Sequence, residues 1–159
     1  MKYYIALGSN LGDRLTFLKA AVNKLAEIGL IENKSAIYET EPYGFKDQPN
    51  YLNAVCTFKF VDKAPILLRY LKNIEKHLGR KETIHWGPRF IDLDIIDWDG
   101  EVLETSDLII PHPEMHKRNF VLIPLAEIEP DYKNRDGLNI KQMLDRCSKG
   151  FIERYREQW

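Results

Sequence analysis

Two aspartates stand two residues apart in the segment HWGPRFIDLDIIDWDG, where the other residues indicate an apolar strand. Residues two apart in a strand project from the same face, so Asp92 and Asp94 point the same way. Two carboxylates this close repel each other, and partial burial would raise the pKa of one of them. A divalent cation between them removes that cost, and hard oxygen ligands suit Mg²⁺. The alternating residues Ile91, Leu93 and Ile95 are predicted to face the core, while Phe90 and Ile96 share the face of the carboxylates.

The residues before this pair favour phosphate chemistry. Gly87 and Pro88 indicate a tight turn that would bring Arg89 to the same site. A cation, two metal ligands and a backbone bend in one stretch are what phosphoryl transfer requires. The alternative is a solvated strand face whose aspartates pair with lysine or arginine, and DLD alone does not exclude it.

The N-terminal third of the chain predicts a strand followed by a helix. KYYIALGSN begins as an apolar strand and ends in a turn at residues 8–10. Apolar residues then recur at helical spacing over residues 15–28, with Asp13 near the helix start and Gly29 just past its end. SAIYET predicts a second strand, which breaks at the following Glu-Pro pair.

The rest of the chain alternates further strands with helices. YLNAVCTFKF alternates as a strand and places Tyr51 and Asn53 on one face. A second helix opens at the Ala-Pro pair of APILL, because proline is tolerated in the first turn. WDGEVLE indicates a hairpin turn at residues 99–100. A third helix is predicted over residues 115–127, which Pro124 would interrupt or kink, and a last one in NIKQMLDRC.

This order of elements predicts an α+β fold in which helices pack against a mainly antiparallel sheet, near a ferredoxin-like topology. The 159 residues fit one domain, which we assign to residues 1–159. Apolar residues make up 44% and charged residues 30%, so the composition is that of a globular protein and not of a disordered or fibrous one.

Charge and cysteine content restrict the partners and the compartment. Lysine and arginine number 23 against 24 acidic residues, and this balance argues against a general nucleic-acid binder. No segment approaches the roughly 20 apolar residues of a membrane span, and the N-terminus lacks the apolar region of a signal peptide. We therefore expect a cytoplasmic monomer without a membrane partner, in which Cys56 and Cys147 are reduced and mostly buried.

Four segments resemble those of the 6-hydroxymethyl-7,8-dihydropterin pyrophosphokinase family of folate biosynthesis. WGPRFIDLDII resembles the family signature, YIALGSNLGDR its N-terminal strand and turn, DQPNYLNAV its pterin-binding strand, and PHPEMHKRNFVLIPLAEIEPD its C-terminal block. They follow in the family's order from residue 4 to residue 131. The resemblance implies that the β- and γ-phosphates of ATP move together onto the hydroxymethyl group of the pterin, with release of AMP.

The resemblance also implies which residues handle ATP and magnesium. Asp92 and Asp94 would hold two Mg²⁺ ions that bridge the phosphates of ATP and align the attacking and leaving oxygens. With Arg89 they are the predicted catalytic residues. The predicted ATP-binding residues are Glu75, Arg80, Trp86, Arg89, His112 and Arg118.

A second set of residues matches the family's pterin pocket. Aromatic side chains suit the faces of a flat heterocycle, and an amide can pair with the donors and acceptors on its edge. The predicted pterin-binding residues are Thr40, Pro42, Tyr43, Gly44, Tyr51, Asn53, Trp86 and Phe120.

The chain departs from the family pattern in three places. The loop over residues 80–86 is one residue shorter than in the best-known bacterial form, so a second loop arginine has only Lys81 as its nearest counterpart. Asp107 and Ile109 stand where some members use an arginine and a threonine, which predicts adenine recognition through backbone groups. Glu41 stands where relatives often have proline, so the pocket loop is expected to bend differently.

Two other functions would use the same residues differently. A metal-dependent nuclease or nucleotidyltransferase would use the same carboxylates, although the balanced charge disfavours a polynucleotide substrate. A non-catalytic ferredoxin-like binding module would carry DLD only as surface residues.

Overall fold

The structure is a computed structural model and describes residues 1–42, 46–79, 89–147 and 149–159. Its strands are β1 (Lys2–Ser9), β2 (Leu30–Lys34), β3 (Tyr38–Thr40), β4 (Tyr51–Lys59), β5 (Asp92–Trp98), β6 (Leu103–Glu104), β7 (Ile109–Ile110) and β8 (Ile152–Arg154). Its α-helices are α1 (Arg14–Ile28), α2 (Ala64–His77), α3 (Asn119–Ile128) and α4 (Ile140–Arg146), and a 3-10 turn at Met115–Lys117 precedes α3. None of the helices in these ranges is long and apolar enough to cross a bilayer.

The main sheet has the strand order β5-β1-β4-β3-β8, and β2 also pairs with β4. Every pairing in it is antiparallel. β6 and β7 form a separate two-stranded ribbon. This arrangement confirms the predicted α+β class with helices packed on an antiparallel sheet.

The sheet lies between two helical layers, because β1 and β4 bury side chains on both faces. On the first face, Ile5, Leu7 and Leu52 pack with residues of α1 and α2 into one buried cluster. On the second face, Val55 and Ile96 pack with residues of α3 and α4 into another. At one end of this second face Asp92, Asp94 and Tyr51 are only half-buried, and all three are among the predicted site residues.

The helix limits follow the local chemistry of the sequence. Asp13 caps α1 by accepting the N–H of Thr16 at 3.2 Å, and Gly29 follows the last residue, as predicted. Pro65 lies in the first turn of α2. Asn139 and Gln142 form a reciprocal capping box at the start of α4, which satisfies two backbone donors.

The predicted hairpin at residues 99–100 is wrong. β6 pairs with β7 and not with β5, whose last residue is Trp98. The indole of Trp98 folds back over Gly100 and donates to the carbonyl of Glu101 at 2.7 Å, while Arg135 donates to the carbonyl of Gly100 at 2.9 Å. These contacts turn the chain away from the sheet edge.

Three other elements differ from the sequence prediction. The third helix begins at Asn119, because residues 115–117 form a 3-10 turn, and Pro124 is buried inside α3 without ending it. In the second turn of a helix, proline removes one hydrogen bond to a first-turn carbonyl, and its buried ring offsets that loss by packing. β2 and β8 were not predicted, since both are short and mostly exposed, and they lack a clear alternation of apolar residues.

Candidate functional site

The two aspartates of DLD lie side by side on the second face of the sheet. Asp92 is paired in register with Gly8 of β1, and Asp94 with Ala6, while Leu93 between them is buried in the first core cluster. Both aspartates are half-buried. Because their cross-strand neighbours on β1 have a methyl group or no side chain, β1 places no bulky side chain beside the carboxylates.

The donor set fits magnesium that is shared with a substrate. Among the residues that the structure describes, no cluster of three or more Asp, Glu, His or Cys side chains forms a complete cation site. Mg²⁺ is commonly held by one or two carboxylates, with phosphate oxygens and water completing its octahedron. Asp92 and Asp94 therefore supply what a magnesium–nucleotide complex needs from a protein.

Glu75 fixes the backbone between the two aspartates. This α2 residue is 2% exposed, and its Oε2 accepts the N–H of Leu93 at 2.8 Å. Since Leu93 is flanked by Asp92 and Asp94, the hydrogen bond ties the backbone that carries both carboxylates to helix α2, which lies on the opposite face of the sheet. The structure thus gives Glu75 a contact with the carboxylate strand, while its predicted contact with ATP stays a prediction.

Asn10, which the sequence analysis did not single out, joins the end of β1 to two other segments. Its Oδ1 accepts the N–H of Arg89 at 2.8 Å, and its own N–H donates to the carbonyl of Arg89 at 3.0 Å. Its Nδ2 donates to Gln48 Oε1 at 2.8 Å and to the carbonyl of Pro49 at 3.0 Å. The backbone of Arg89 is therefore anchored beside the strand that carries the aspartates.

His112 and Arg118 lie near each other on the segment that follows β7. The N–H of His112 donates to the carbonyl of Ile96 at 2.8 Å, which places this segment two residues along β5 from Asp94. Burial, with the nearby Arg118 guanidinium adding to its effect, lowers the pKa of His112 to about 4. The imidazole is thus neutral near pH 7. Its Nδ1 accepts the N–H of Glu114 at 3.1 Å, so Nε2 carries the proton that could be donated to a phosphate oxygen.

The pterin-side residues of β3 and β4 share the face of the aspartates. Asn53 is paired in register with Gly8, and its Nδ2 donates to Thr40 Oγ1 at 2.7 Å. A methyl group at Gly8 would stand 2.9 Å from Asn53 Oδ1 and 3.4 Å from the ring of Tyr51. The glycine therefore lets these two side chains lie flat against β1.

Phe120 and Pro42 border this region from other elements. Phe120 lies in the first turn of α3, packs against the second core cluster and has the Arg118 guanidinium carbon 5.7 Å from its ring centroid. Pro42 is buried, and its carbonyl accepts the ammonium of Lys46 at 2.7 Å. Arg118 thus lies close both to Phe120, a predicted pterin-binding residue, and to His112, a predicted ATP-binding residue.

Some predicted residues are placed differently or are not described. Phe90 precedes β5 and packs against Phe17 of α1, with ring centroids 5.1 Å apart, so it does not share the face of the carboxylates. Asp107 lies exposed in the turn between β6 and β7, and Ile109 is 42% exposed on β7. The remaining predicted residues lie outside the described ranges: Tyr43, Gly44, Arg80, Lys81, Trp86, and Gly87 and Pro88 of the predicted turn.

Sequence reasoning missed Gly8 and Asn10 as parts of the site, although both belong to the segment YIALGSNLGDR. It treated them as a turn signal. The presence of GSN directly after an apolar strand was the available clue, because an asparagine at a strand end can bridge to neighbouring loops. The partners that Asn10 contacts in the structure are 38 to 79 residues away in the chain: Arg89, Gln48 and Pro49.

Comparison with known proteins gives a consistent set of relatives. The chain is 45% identical over 128 residues to 2-amino-4-hydroxy-6-hydroxymethyldihydropteridine pyrophosphokinase of Aquifex aeolicus, and the match covers 80% of each chain. It is 47% identical over 127 residues to the protein of that name from Bacillus subtilis, covering 79% of this chain and 76% of the relative. The folic acid synthesis protein fol1 of Pneumocystis carinii is 45% identical over 145 residues, which cover only 20% of that longer protein.

Solved structures share the fold. The wild-type HPPK-DHPS of Plasmodium falciparum superposes with a TM-score of 0.69 over 91% of this chain, at 16% identity, and this chain spans 40% of its length. A crystal structure of HPPK-DHPS in complex with substrates gives a TM-score of 0.70 at 17% identity, covering 91% of this chain and 42% of that one. Residues 4–130 match the family described as 7,8-dihydro-6-hydroxymethylpterin-pyrophosphokinase. This chain therefore belongs to the 7,8-dihydro-6-hydroxymethylpterin-pyrophosphokinase family.

Proposed function

We propose that this protein transfers the terminal diphosphate of ATP to the hydroxymethyl group of 6-hydroxymethyl-7,8-dihydropterin, giving the pterin diphosphate and AMP. The family match over residues 4–130 carries this proposal. The placement of two carboxylates and the pterin-side residues on one face of neighbouring strands supports it. A nuclease and a non-catalytic binding module are disfavoured by the same match.

The reaction is a displacement at the β-phosphorus of ATP. The pterin hydroxyl oxygen attacks that phosphorus and releases its proton to water, and the bond to the oxygen shared with the α-phosphate breaks, so AMP leaves with that oxygen. Asp92 and Asp94 would hold Mg²⁺, two ions in our proposal, and bound magnesium neutralises the charge that develops on the phosphate oxygens. Arg89 and Arg118 would add fixed positive charge, and the neutral imidazole of His112 would donate a hydrogen bond from its Nε2–H to a phosphate oxygen.

The pterin is held beside this phosphate site. Because Asn53 Nδ2 is already bonded to Thr40 Oγ1, its Oδ1 is the amide atom left to accept from an N–H on the pterin edge. Tyr51 and Phe120 would contact the faces of the ring, each contact contributing about 0.5–1.5 kcal/mol beyond area burial. We propose that residues 1–159 form a single catalytic domain. A cytoplasmic location remains a prediction from the sequence.

The decisive test is the identity of the nucleotide product. Purified protein is mixed with ATP, Mg²⁺ and 6-hydroxymethyl-7,8-dihydropterin, and the nucleotides are separated by chromatography. We expect AMP and a pterin diphosphate in equal amounts. Formation of ADP would indicate an ordinary kinase, and cleavage of an added oligonucleotide would favour a nuclease.

A matched pair of variants tests the carboxylate role. Asp94→Ala removes one predicted magnesium ligand, and we expect AMP formation to fall by about a thousandfold, since metal-assisted charge stabilisation is worth several kcal/mol. Asp131→Asn changes an exposed carboxylate in the loop after α3 and should leave the rate unchanged. Equal activity of both variants would contradict the assignment of Asp94.

A further inference from the structure

Arg14 ends the segment YIALGSNLGDR, and neither the phosphate side nor the pterin side of the proposed site uses it. It is the first residue of α1. Its Nη1 donates to Glu39 Oε2 at 2.8 Å and to the carbonyl of Asn50 at 3.0 Å. One guanidinium therefore joins the start of α1 to strand β3 and to the residue that precedes β4.

The two partners of Arg14 stand directly before pterin-side residues. Glu39 precedes Thr40 in β3, and Asn50 precedes Tyr51, the first residue of β4. Thr40 and Tyr51 are themselves paired in register. Arg14 thus holds the strand end and the strand start from which the proposed pterin contacts project.

Arg14 contacts the sheet on its first face, opposite the face that carries the proposed site. Glu39 is paired with Leu52, whose side chain packs in the first core cluster beneath α1, so Glu39 faces away from the second face. Both side chains of the Arg14–Glu39 pair are less than a quarter exposed, at 23% and 22%. The ring of Tyr155, next to β8, covers the guanidinium with its centroid 5.6 Å away. Partial burial makes this pair stronger and less sensitive to salt than an exposed one.

We propose that Arg14, together with Glu39, is a positioning residue for the pterin. It holds Thr40 and Tyr51 in the arrangement that accepts the ring, and it does not contact the ligand. The inference rests on the proposed function. When the arrangement that accepts a ligand is only partly populated, the apparent dissociation constant rises by the inverse of that population. Loss of the guanidinium should therefore weaken pterin binding, while the phosphate side keeps its affinity.

The test compares variants of Arg14 in the full chain. Binding of 6-hydroxymethylpterin, the oxidised and fluorescent form, is measured in the presence of Mg²⁺ and an ATP analogue with a methylene bridge between the α- and β-phosphorus atoms. Arg14→Met should raise the pterin Kd by about tenfold, because a hydrogen bond to a charged group is lost at each strand. The Kd of the ATP analogue should change by less than about twofold.

Arg14→Lys provides the conservative variant. Its ammonium can donate to Glu39 and Asn50 but lacks the planar fork, so we expect it to recover most of the pterin affinity. In steady-state kinetics, Arg14→Met should raise KM for the pterin and leave kcat at saturating pterin nearly unchanged. If Arg14 only stabilised the fold, the substitution would instead lower the activity through loss of folded protein. KM would then change for neither the pterin nor ATP.

Lys24→Met removes another ion pair of α1, the one between Lys24 and Glu27, and serves as the matched control. It should leave both dissociation constants unchanged. An unaltered pterin Kd in folded Arg14→Met, checked by thermal unfolding, would overturn the proposal, and so would an equal loss of affinity for both ligands. If the unmodified protein bound no pterin at all, the proposed function itself would fail.

Discussion

Gly8 lies beneath the side chains of Tyr51 and Asn53 and beside Asp92 on the neighbouring strand. Its role depends on having no side chain, because any added atom would enter the space occupied by the Asn53 amide. A single backbone position therefore lies between Asp92, a predicted magnesium ligand, and Asn53, a predicted pterin-binding residue.

Gly8→Ala should weaken pterin binding. The new methyl group would be 2.9 Å from Asn53 Oδ1, so the amide must shift from its present position. Overpacking of this kind costs about 1–3 kcal/mol, which predicts an increase in pterin Kd of about tenfold or more. Fluorescence titration with 6-hydroxymethylpterin measures it, with affinity for the ATP analogue as the control. An unchanged pterin Kd would show that Asn53 does not need its present position.

His112 should titrate far below an ordinary histidine. Burial and Arg118 lower its pKa to about 4 in the folded protein, against about 6.5 when unfolded. Between these values the unfolded chain binds a proton that the folded one does not, so this residue lowers the free energy of unfolding as pH falls from 6.5 towards 4. In the His112→Gln variant the free energy of unfolding should therefore fall less between pH 6.5 and pH 4. Urea unfolding at several pH values measures this difference.

The same histidine gives a test of phosphate contact. NMR titration, with the His112→Gln variant used to assign the signal, should show its pKa rising when the magnesium complex of the ATP analogue is added, since a nearby anion favours the charged form. A free-protein pKa near 6.5 would contradict the burial of the imidazole. A pKa unmoved by the nucleotide would argue against contact with the phosphates.

At the scale of elements, helix α2 and strand β5 are joined by the buried hydrogen bond from Leu93 to Glu75. A carboxylate in an otherwise apolar helix stripe is costly unless it is bonded, and here it accepts the outward N–H of an edge strand. The helix therefore fixes the strand segment that presents Asp92 and Asp94.

Glu75→Leu should destabilise the protein and weaken its response to magnesium. It leaves the N–H of Leu93 buried without its acceptor, which costs about 1–3 kcal/mol of unfolding free energy. The Mg²⁺ concentration for half-maximal AMP formation should rise, because the aspartates lose their fixed backbone. Glu75→Gln keeps an amide oxygen as acceptor and should retain most of the stability. Denaturant unfolding and magnesium titration of both variants separate these outcomes.

At the scale of the whole molecule, the C-terminal layer is tied to the edge strand by a buried polar cluster. Asp97 is 4% exposed and accepts the hydroxyl of Tyr132 at 2.6 Å and Arg135 Nη2 at 2.8 Å. Burial, aided by the Asp97 carboxylate, raises the pKa of Tyr132. Ile96 and Asp97 are adjacent in β5, yet the side chains of both lie on the second face. A register shift between Tyr4 and Ile5 allows this.

Tyr132→Phe should lower stability without affecting catalysis. It removes one hydrogen bond to a buried charge, worth about 1.5–3 kcal/mol, at Asp97, which is not among the predicted site residues. Urea unfolding measures the change, and Tyr70→Phe, at a ring that is 44% exposed, provides the matched control. A large rise in KM for either substrate would mean that the C-terminal layer shapes the site more directly.

The sequence alone determined the parts of this protein that depend on local pattern. Alternation along YLNAVCTFKF placed Tyr51 and Asn53 on one face, and the two-residue spacing placed Asp92 beside Asp94. Helical periodicity and capping residues located α1, whose cap at Asp13 the structure confirms. Each of these follows from chain geometry over a few residues.

Only the tertiary structure decided which distant segments meet. The bond from Glu75 to Leu93, the bridge of Asn10 to Arg89 and Gln48, and the hold of Arg14 on Glu39 and Asn50 join residues 18 to 79 positions apart. The failed hairpin after Trp98 has the same origin, since Arg135 and the indole redirect that turn. Such contacts are selected by packing of the whole sheet between its two helical layers, and no local preference in the chain encodes them.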